Sequence, residues 1–209
     1  MNILVLAPHP DDEAIGCGGT ICKHTAQRDQ VTVVFLTSGE LGLKHLAPAK
    51  AWAIREGEAR RAGKILGLRE LFFLRQPDWG LRQAGRAAAT ALRPIIQRER
   101  PQLIYLPHPG EWHPDHRAAL PVLRRALRGS GVPRPDLRGY EVWTPLANHD
   151  HSENITKVMT RKLRAIGVHR SQLNEFNYRR AVCGLNQFRG ELGGKCQYAE
   201  VFTALRLNR

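Results

Sequence analysis

The chain is short of cysteine, of acidic residues and of long apolar runs, and each shortage argues against a class of protein. Only four cysteines occur in 209 residues, at positions 17, 22, 183 and 196. No two have the C-x-x-C spacing, which argues against a cysteine zinc site or a disulfide scaffold, and the thiols are expected to stay reduced in a cytoplasmic protein. No apolar stretch approaches the ~20 residues that a membrane span needs. Met1-Asn2 leads straight into an apolar strand, without a basic n-region or a small-residue cleavage site. A soluble, unexported chain without a membrane span is therefore expected. Internal repeats, low-complexity tracts and a convincing linker are also missing, so residues 1–209 read as one domain with room for a substantial core.

The scarcity of acid leaves 32 basic against 19 acidic residues, a formal charge of +13. Arginine dominates, and its planar fork suits phosphate or carboxylate. One reading is an anionic substrate, a lipid surface or nucleic acid; the plainer reading is arginine usage without a dedicated partner. The arginine pairs at 60–61, 124–125 and 179–180 are far apart, and no aromatic platform is interleaved with them, so specific nucleic-acid binding is not expected.

Short runs rich in Ile, Leu and Val alternate with helical periodicity along most of the chain. Strands are expected at 2–7, 31–37, 71–74, 102–106 and 140–143, and helices at 14–27, 49–66, 84–98, 117–128 and 155–168. Gly67 should end the second helix. Residues 129–138 read as a Gly/Pro-rich loop, 148–153 as a polar loop, and the chain from His169 onward shows little periodicity. Such alternation predicts an α/β fold with a mostly parallel sheet covered on both faces, and sites that collect at the C-terminal strand ends.

Two polar clusters lie at such ends. Ala7-Pro8-His9-Pro10-Asp11-Asp12-Glu13 follows the first strand; His113-Pro114-Asp115-His116, with His108 and Glu111 just before, follows Leu103-Ile104-Tyr105-Leu106. Together they can build one metal site. A hydrolytic zinc needs about three protein ligands and an open position for water, and His9, Asp12 and His116 offer two imidazoles and a carboxylate. Asp11 then stays free to act as general base. His113, held cationic by Asp115, is a candidate to stabilise an oxyanion or to protonate a leaving amine. Plainer roles exist: Asp11 or Asp12 as a helix cap, Glu13 favouring the helix N-terminus, either histidine as a polar loop residue.

Gly16-Cys17-Gly18-Gly19 lies too far past the first strand, with its third glycine misplaced, for a dinucleotide fingerprint. These glycines are expected to let the helix press against the sheet. His24, His45 and His108 read as surface or packing residues, whereas His149 and His151 are possible visitors to the pocket.

The assembled residues resemble the zinc-dependent PIG-L/LmbE-like N-deacetylases. That family's A-H-P-D-D-E motif is similar to Pro8 through Glu13 after Ala7, with one extra proline, and its H-x-D-H motif to His113-Pro114-Asp115-His116. Similarity extends to Arg55-Glu56-Gly57-Glu58-Ala59, to Lys162 through Ser171-Gln172, and to Tyr198-Ala199-Glu200-Val201-Phe202. The resemblance implies a Rossmann-like three-layer sandwich that binds no dinucleotide, and hydrolysis of an N-acetyl group from an N-acetylglucosamine unit in a thiol-sugar precursor, a glycolipid or an antibiotic intermediate. It implies zinc on His9, Asp12 and His116, Asp11 as base, and His113 at the transition state, tuned by Asp115. Arg55 would contact substrate, Tyr198 would edge the pocket, and the chain would assemble as a homo-oligomer, a trimer or hexamer. Glu111 stands where aspartate is more usual, which bears on the pocket rim. Other readings are an amidase on another conjugate, a ferrous oxygenase using the two-histidine, one-carboxylate set, and a basic nucleic-acid-binding module.

Overall fold

The computed structural model describes residues 1–207; residues 208 and 209 of the expected domain lie outside the described residues. Strands β1 (Asn2–Ala7), β2 (Gln30–Thr37), β3 (Glu70–Gln76), β4 (Leu103–Pro107) and β5 (Asp136–Tyr140) alternate with helices α1 (Asp12–Ala26), α2 (Pro48–Leu66), α3 (Leu81–Glu99) and α4 (Pro114–Leu127). Beyond them come β6 (His151–Asn154), α5 (Met159–Ile166), α6 (Arg170–Leu173), α7 (Tyr178–Arg189) and β7 (Ala199–Leu205). One sheet runs β3-β2-β1-β4-β5-β7-β6, with β1 to β5 parallel and β7 antiparallel to both neighbours.

Side chains alternate across a strand, and β1 divides the core accordingly. Ile3, Val5 and Ala7 join Ala59, Ala62 and Leu66 of α2 and Ala165 and Ile166 of α5 on one face. Leu4 and Leu6 join Leu92 and Ile96 of α3 and Leu123 of α4 on the other. The result is the three-layer α/β sandwich that the alternation predicts. The chain winds outward from β1 in one direction to β2 and β3, and from β4 in the other to β5. Strand order therefore reverses between β1 and β4, and a crevice opens at their C-terminal ends, the usual ligand position in such sheets. Residues 8–13 and 108–116 both emerge there.

The glycines of α1 act as expected. A Cβ on Gly16 would enter the Tyr140 ring at the end of β5, and one on Gly19 would lie 2.7 Å from Ile155. Gly67 ends α2 in the left-handed region, at φ 78, its N–H donating to the Gly63 carbonyl at 2.9 Å. Three expectations are corrected. The fifth strand is 136–140 rather than 140–143, so it begins inside the stretch read as loop. Residues 151–154 pair on β7 as an edge strand although they carry no apolar side chain. The stretch after His169 holds α7 and β7, whose pairing partners lie far away in sequence.

Candidate metal centre

The turn after β1 is pinned before any ligand is considered. The Thr37 N–H and hydroxyl both donate to the Pro8 carbonyl at 2.9 Å, and the His9 N–H donates to Asp12 Oδ2 at 2.8 Å. Asp11 has φ 122, a conformation that costs a non-glycine residue of order 1–3 kcal/mol. Its carbonyl starts α1 by accepting from Ala14 and Ile15, but neither it nor Asp12 uses its side chain as a helix cap. Both carboxylates point instead into the crevice.

His9 Nδ1, Asp12 Oδ2 and His116 Nε2 form a triangle with sides of 3.2, 3.3 and 3.3 Å. Tetrahedral ligands at bond lengths of ~2.0–2.1 Å from zinc stand about 3.3–3.4 Å apart, so the three atoms are spaced as three corners of such a site. The far sides of the rings fit too. His9 Nε2 faces Asp78 Oδ1 at 3.1 Å and Asp115 Oδ2 at 3.4 Å, and His116 Nδ1 faces Glu111 Oε2 at 3.5 Å. The carboxylates behind His9 keep its proton there and leave the inward nitrogen its lone pair, whereas Glu111 presents its charge to the far side of His116 without a hydrogen bond. Glu111 is itself held by N–H groups of Val142, Trp143 and Thr144.

The electrostatics favour positive charge at the centre of the triangle. Burial opposes ionisation of Asp12, but His116 and His9 outweigh it and hold the carboxyl well below the usual range. Burial likewise opposes charge on His9, and Asp115, Asp12 and Asp78 raise it nonetheless. Asp11 differs: burial pushes it up to about 7, with the Arg55 guanidinium pulling the other way. Arg55 Nη2 is 3.2 Å from Asp11 Oδ2 and 2.7 Å from the Pro10 carbonyl, and Nη1 is 2.8 Å from the Gly39 carbonyl. Gly39, at φ 63, gives way to that guanidinium, since a Cβ there would collide with it.

His113 and Asp115 are arranged differently from the expectation of a cationic imidazole. His113 Nδ1 accepts from the Asp115 backbone N–H at 3.2 Å, which caps α4, and burial beside His9 and His116 pushes the ring down to about 4. The ring is neutral, with its proton on Nε2. The Asp115 carboxylate reaches His9 and the N–H groups of Trp79 (2.7 Å) and Leu81 (3.1 Å). It positions its neighbours through these bonds.

The crevice opens into a cleft of about 420 Å³ bordered by His9, Asp11, Asp12, Arg55 and His113. Tyr198 is not part of it: its hydroxyl lies 3.9 Å from Cys183 Sγ, and Tyr178 takes the place expected for it. His149 and His151 also stay outside; His151 bonds Glu153 at 2.6 Å on the β6 edge. His24 is paired with Asp29 and the Tyr105 hydroxyl, and His108 with the Thr144 carbonyl, both away from the triangle. Sequence reasoning missed Asp78 and Trp79, although Pro77-Asp78-Trp79-Gly80 follows β3 at its C-terminal end and the same strand-end rule points to it. Trp143, Phe176 and Tyr178 gave no such signal.

Known proteins similar to this chain include deacetylases. A diacetylchitobiose deacetylase of Thermococcus kodakarensis is 33% identical over 190 residues, covering 83% of this chain and 71% of that one. A probable N-acetyl-alpha-D-glucosaminyl L-malate deacetylase 2 of Bacillus anthracis is 30% identical, covering 82% and 81%. The structure of the N,N'-diacetylchitobiose deacetylase of Pyrococcus horikoshii, complexed with its inhibitor MPG, superposes with a TM-score of 0.84 at 27% identity, over 98% of this chain and 84% of that one. The family model PIG-L, GlcNAc-PI de-N-acetylase, matches residues 4–127, a span that takes in both strand-end clusters and the triangle they form, and the chain belongs to that family.

Proposed function

We propose that this protein is a zinc-dependent N-deacetylase that hydrolyses the acetamide of an N-acetylglucosamine conjugate. The observation that carries the reading is the triangle of His9, Asp12 and His116 with an unliganded Asp11 beside it. Relatives named as deacetylases of diacetylchitobiose and of a glucosaminyl malate support the substrate class. Zinc on the three side chains would provide an acidified water and a Lewis acid for the acetamide carbonyl.

The chain's own groups complete the chemistry. Asp11, held by Arg55 at 3.2 Å, takes a proton from the attacking water; its elevation to about 7 makes it a competent base and, once protonated, a competent acid. His113 donates from neutral Nε2 to the developing oxyanion, a role for which a fixed neutral donor needs no prior protonation. Asp11 then returns its proton to the leaving amine. His9 keeps its inward lone pair because Asp78 and Asp115 hold its outer proton, and the Glu111 charge favours the same arrangement in His116. The four cysteines, all free, support a cytoplasmic location.

The test is amine release from N-acetylglucosamine conjugates, with metal content measured on the same samples. Asp11→Asn is expected to retain zinc and to lose about 10²–10⁴-fold in kcat. Unchanged turnover in that variant would remove Asp11 as base, and iron in place of zinc with oxygen-dependent turnover would favour the oxygenase reading.

A further inference from the structure

Behind the metal cleft, α1, α7, β7 and the loop after β5 border a second cavity, of about 260 Å³. Trp143 and Tyr178 line both spaces, so two rings form the partition between them. The chemistry at the metal uses nothing in this cavity. Ile15, Val142, Val182, Leu185 and Val201 give it apolar walls. An apolar cavity of ~150 Å³ holds one benzene-sized ring, so this one has room for a ring that carries a small substituent.

Its polar lining is more selective. Glu141, Asn186 and Glu200 border it and are 5%, 4% and 1% exposed. Both carboxylates are already matched, Glu141 by Arg189 and the Leu146 N–H, Glu200 by Lys162, Gly19 and Thr20. Asn186 differs. Lys162 Nζ lies 2.8 Å from its Oδ1. An ammonium can only donate, so the amide oxygen is committed to the lysine and the NH2 group is turned away from it. Among the described residues Nδ2 has no hydrogen-bond partner, although donors buried this deeply are paired in most folded proteins.

Charge narrows the ligand. Each carboxylate at the cavity has its own cation, so the lining holds out no net charge to an ion. The arginines Arg82, Arg117 and Arg125 lie on the other face of the sheet, in the groove between α3 and α4. An anion in the cavity would be set against two carboxylates, and a cation against the Asn186 donor. A neutral carbonyl oxygen accepts from that donor without the cost of burying a charge. Ala181 of α7 borders the cavity and is exposed, which places the mouth on the surface of that helix.

We propose that this cavity is a binding site, separate from the metal, for a small neutral molecule with an apolar body and a carbonyl oxygen that accepts from Asn186 Nδ2. The site stands whether or not the metal centre hydrolyses acetamides. Ligand-observed NMR titrations of the whole protein measure it, with acetophenone, 1-phenylethanol and benzoate as probes.

Acetophenone and 1-phenylethanol are expected to bind, and benzoate to bind about tenfold more weakly than either. Asn186→Asp keeps an oxygen for Lys162 and puts a second acceptor where the donor was. It should weaken acetophenone about tenfold and 1-phenylethanol by less than about twofold, because the hydroxyl can donate where the ketone cannot. Ala181→Trp, at an exposed position away from Lys162 and Glu200, should abolish binding of both and leave the melting temperature close to that of the parent. Absence of acetophenone binding, which would leave the cavity to water alone, binding that survives Ala181→Trp, or an equal loss of both probes in Asn186→Asp would overturn the site.

Discussion

Midway along α1, the Glu200 carboxylate of β7 accepts from Gly19 N–H, Thr20 N–H, Thr20 hydroxyl and Lys162 Nζ, all within 2.8 Å, and Lys162 also donates to Asn186 at 2.8 Å. At the start of the same helix, Asp11, Glu13 and His169 are as deeply buried but poorly matched. Burial pushes Glu13 up to about 8 and His169 down to about 3, and the His169 nitrogens and Glu13 Oε1 find no hydrogen-bond partner. Of seven buried side-chain atoms without partners among the described residues, five belong to Glu13, Arg55, His116 and His169. The network around Glu200 is a clamp. The unmatched one keeps its charge state adjustable, as proton transfer and metal binding require.

The clamp has a local cause. Cys17 departs from helical geometry, at φ -141, and the break frees N–H groups in the next turn. Glu200 caps that renewed helix start, as a carboxylate at a helix N-terminus should. It thereby ties the antiparallel end of the sheet to α1 and α5.

Removing one partner of a buried ion pair leaves the other uncompensated, so Glu200→Ala should cost about 3–5 kcal/mol. Denaturant unfolding measures this, and a loss below about 1 kcal/mol would end the distinction between clamp and site. Asp11→Asn, by contrast, keeps an amide oxygen within reach of Arg55 and removes a carboxylate that burial disfavours, so the unfolding midpoint of metal-free protein should move by less than in Glu200→Ala. Next in size, Asp78→Ala should weaken metal affinity about 10–100-fold by freeing the His9 ring. Competition with a chelator of known affinity would show it, and unchanged affinity would reduce Asp78 to a bystander.

At neutral pH the smallest effect is at His169, whose contribution shows only as the pH falls. His169 is held neutral by burial with Arg55 and Arg61 nearby, its folded value near 3 lying below the unfolded value of about 6.5. The unfolded chain therefore binds the extra proton, and this contribution is complete above about pH 6.5 and is lost as pH falls towards 3. His169→Gln should remove a slope of up to about 1.4 kcal/mol per pH unit in that window. Urea midpoints at several pH values, compared between variant and parent, read the difference directly; parallel curves would show that His169 is not held neutral.

Much of the site was legible because its residues are close in sequence. His9, Asp11 and Asp12 share one turn, His113 and His116 another, and each turn follows an unmistakable apolar strand. Asp78 and Trp79 follow β3 and were open to the same strand-end rule, but Trp112, Trp143 and Phe176 come from three further loops that meet only when the sheet is assembled. The protonation of His113 was misread for a related reason. Its i+2 spacing to Asp115 suggests a carboxylate partner, yet the helix start offers the backbone N–H while the carboxylate turns to Trp79 and Leu81.

The strands divide the same way. β1, β2 and β4 are buried on both faces, and such strands read as continuous apolar runs. β6 is His-Ser-Glu-Asn, and nothing in that tetrapeptide favours a strand; pairing with β7 decides it. The sequence by itself determined four of the five parallel strands and the ligand and base candidates, since burial patterns and motif spacing are local properties of the chain. Tertiary structure alone decided the antiparallel edge, the proton on His113, the carboxylates behind the ligands and the direction in which the arginines face, because each depends on which distant groups share the space.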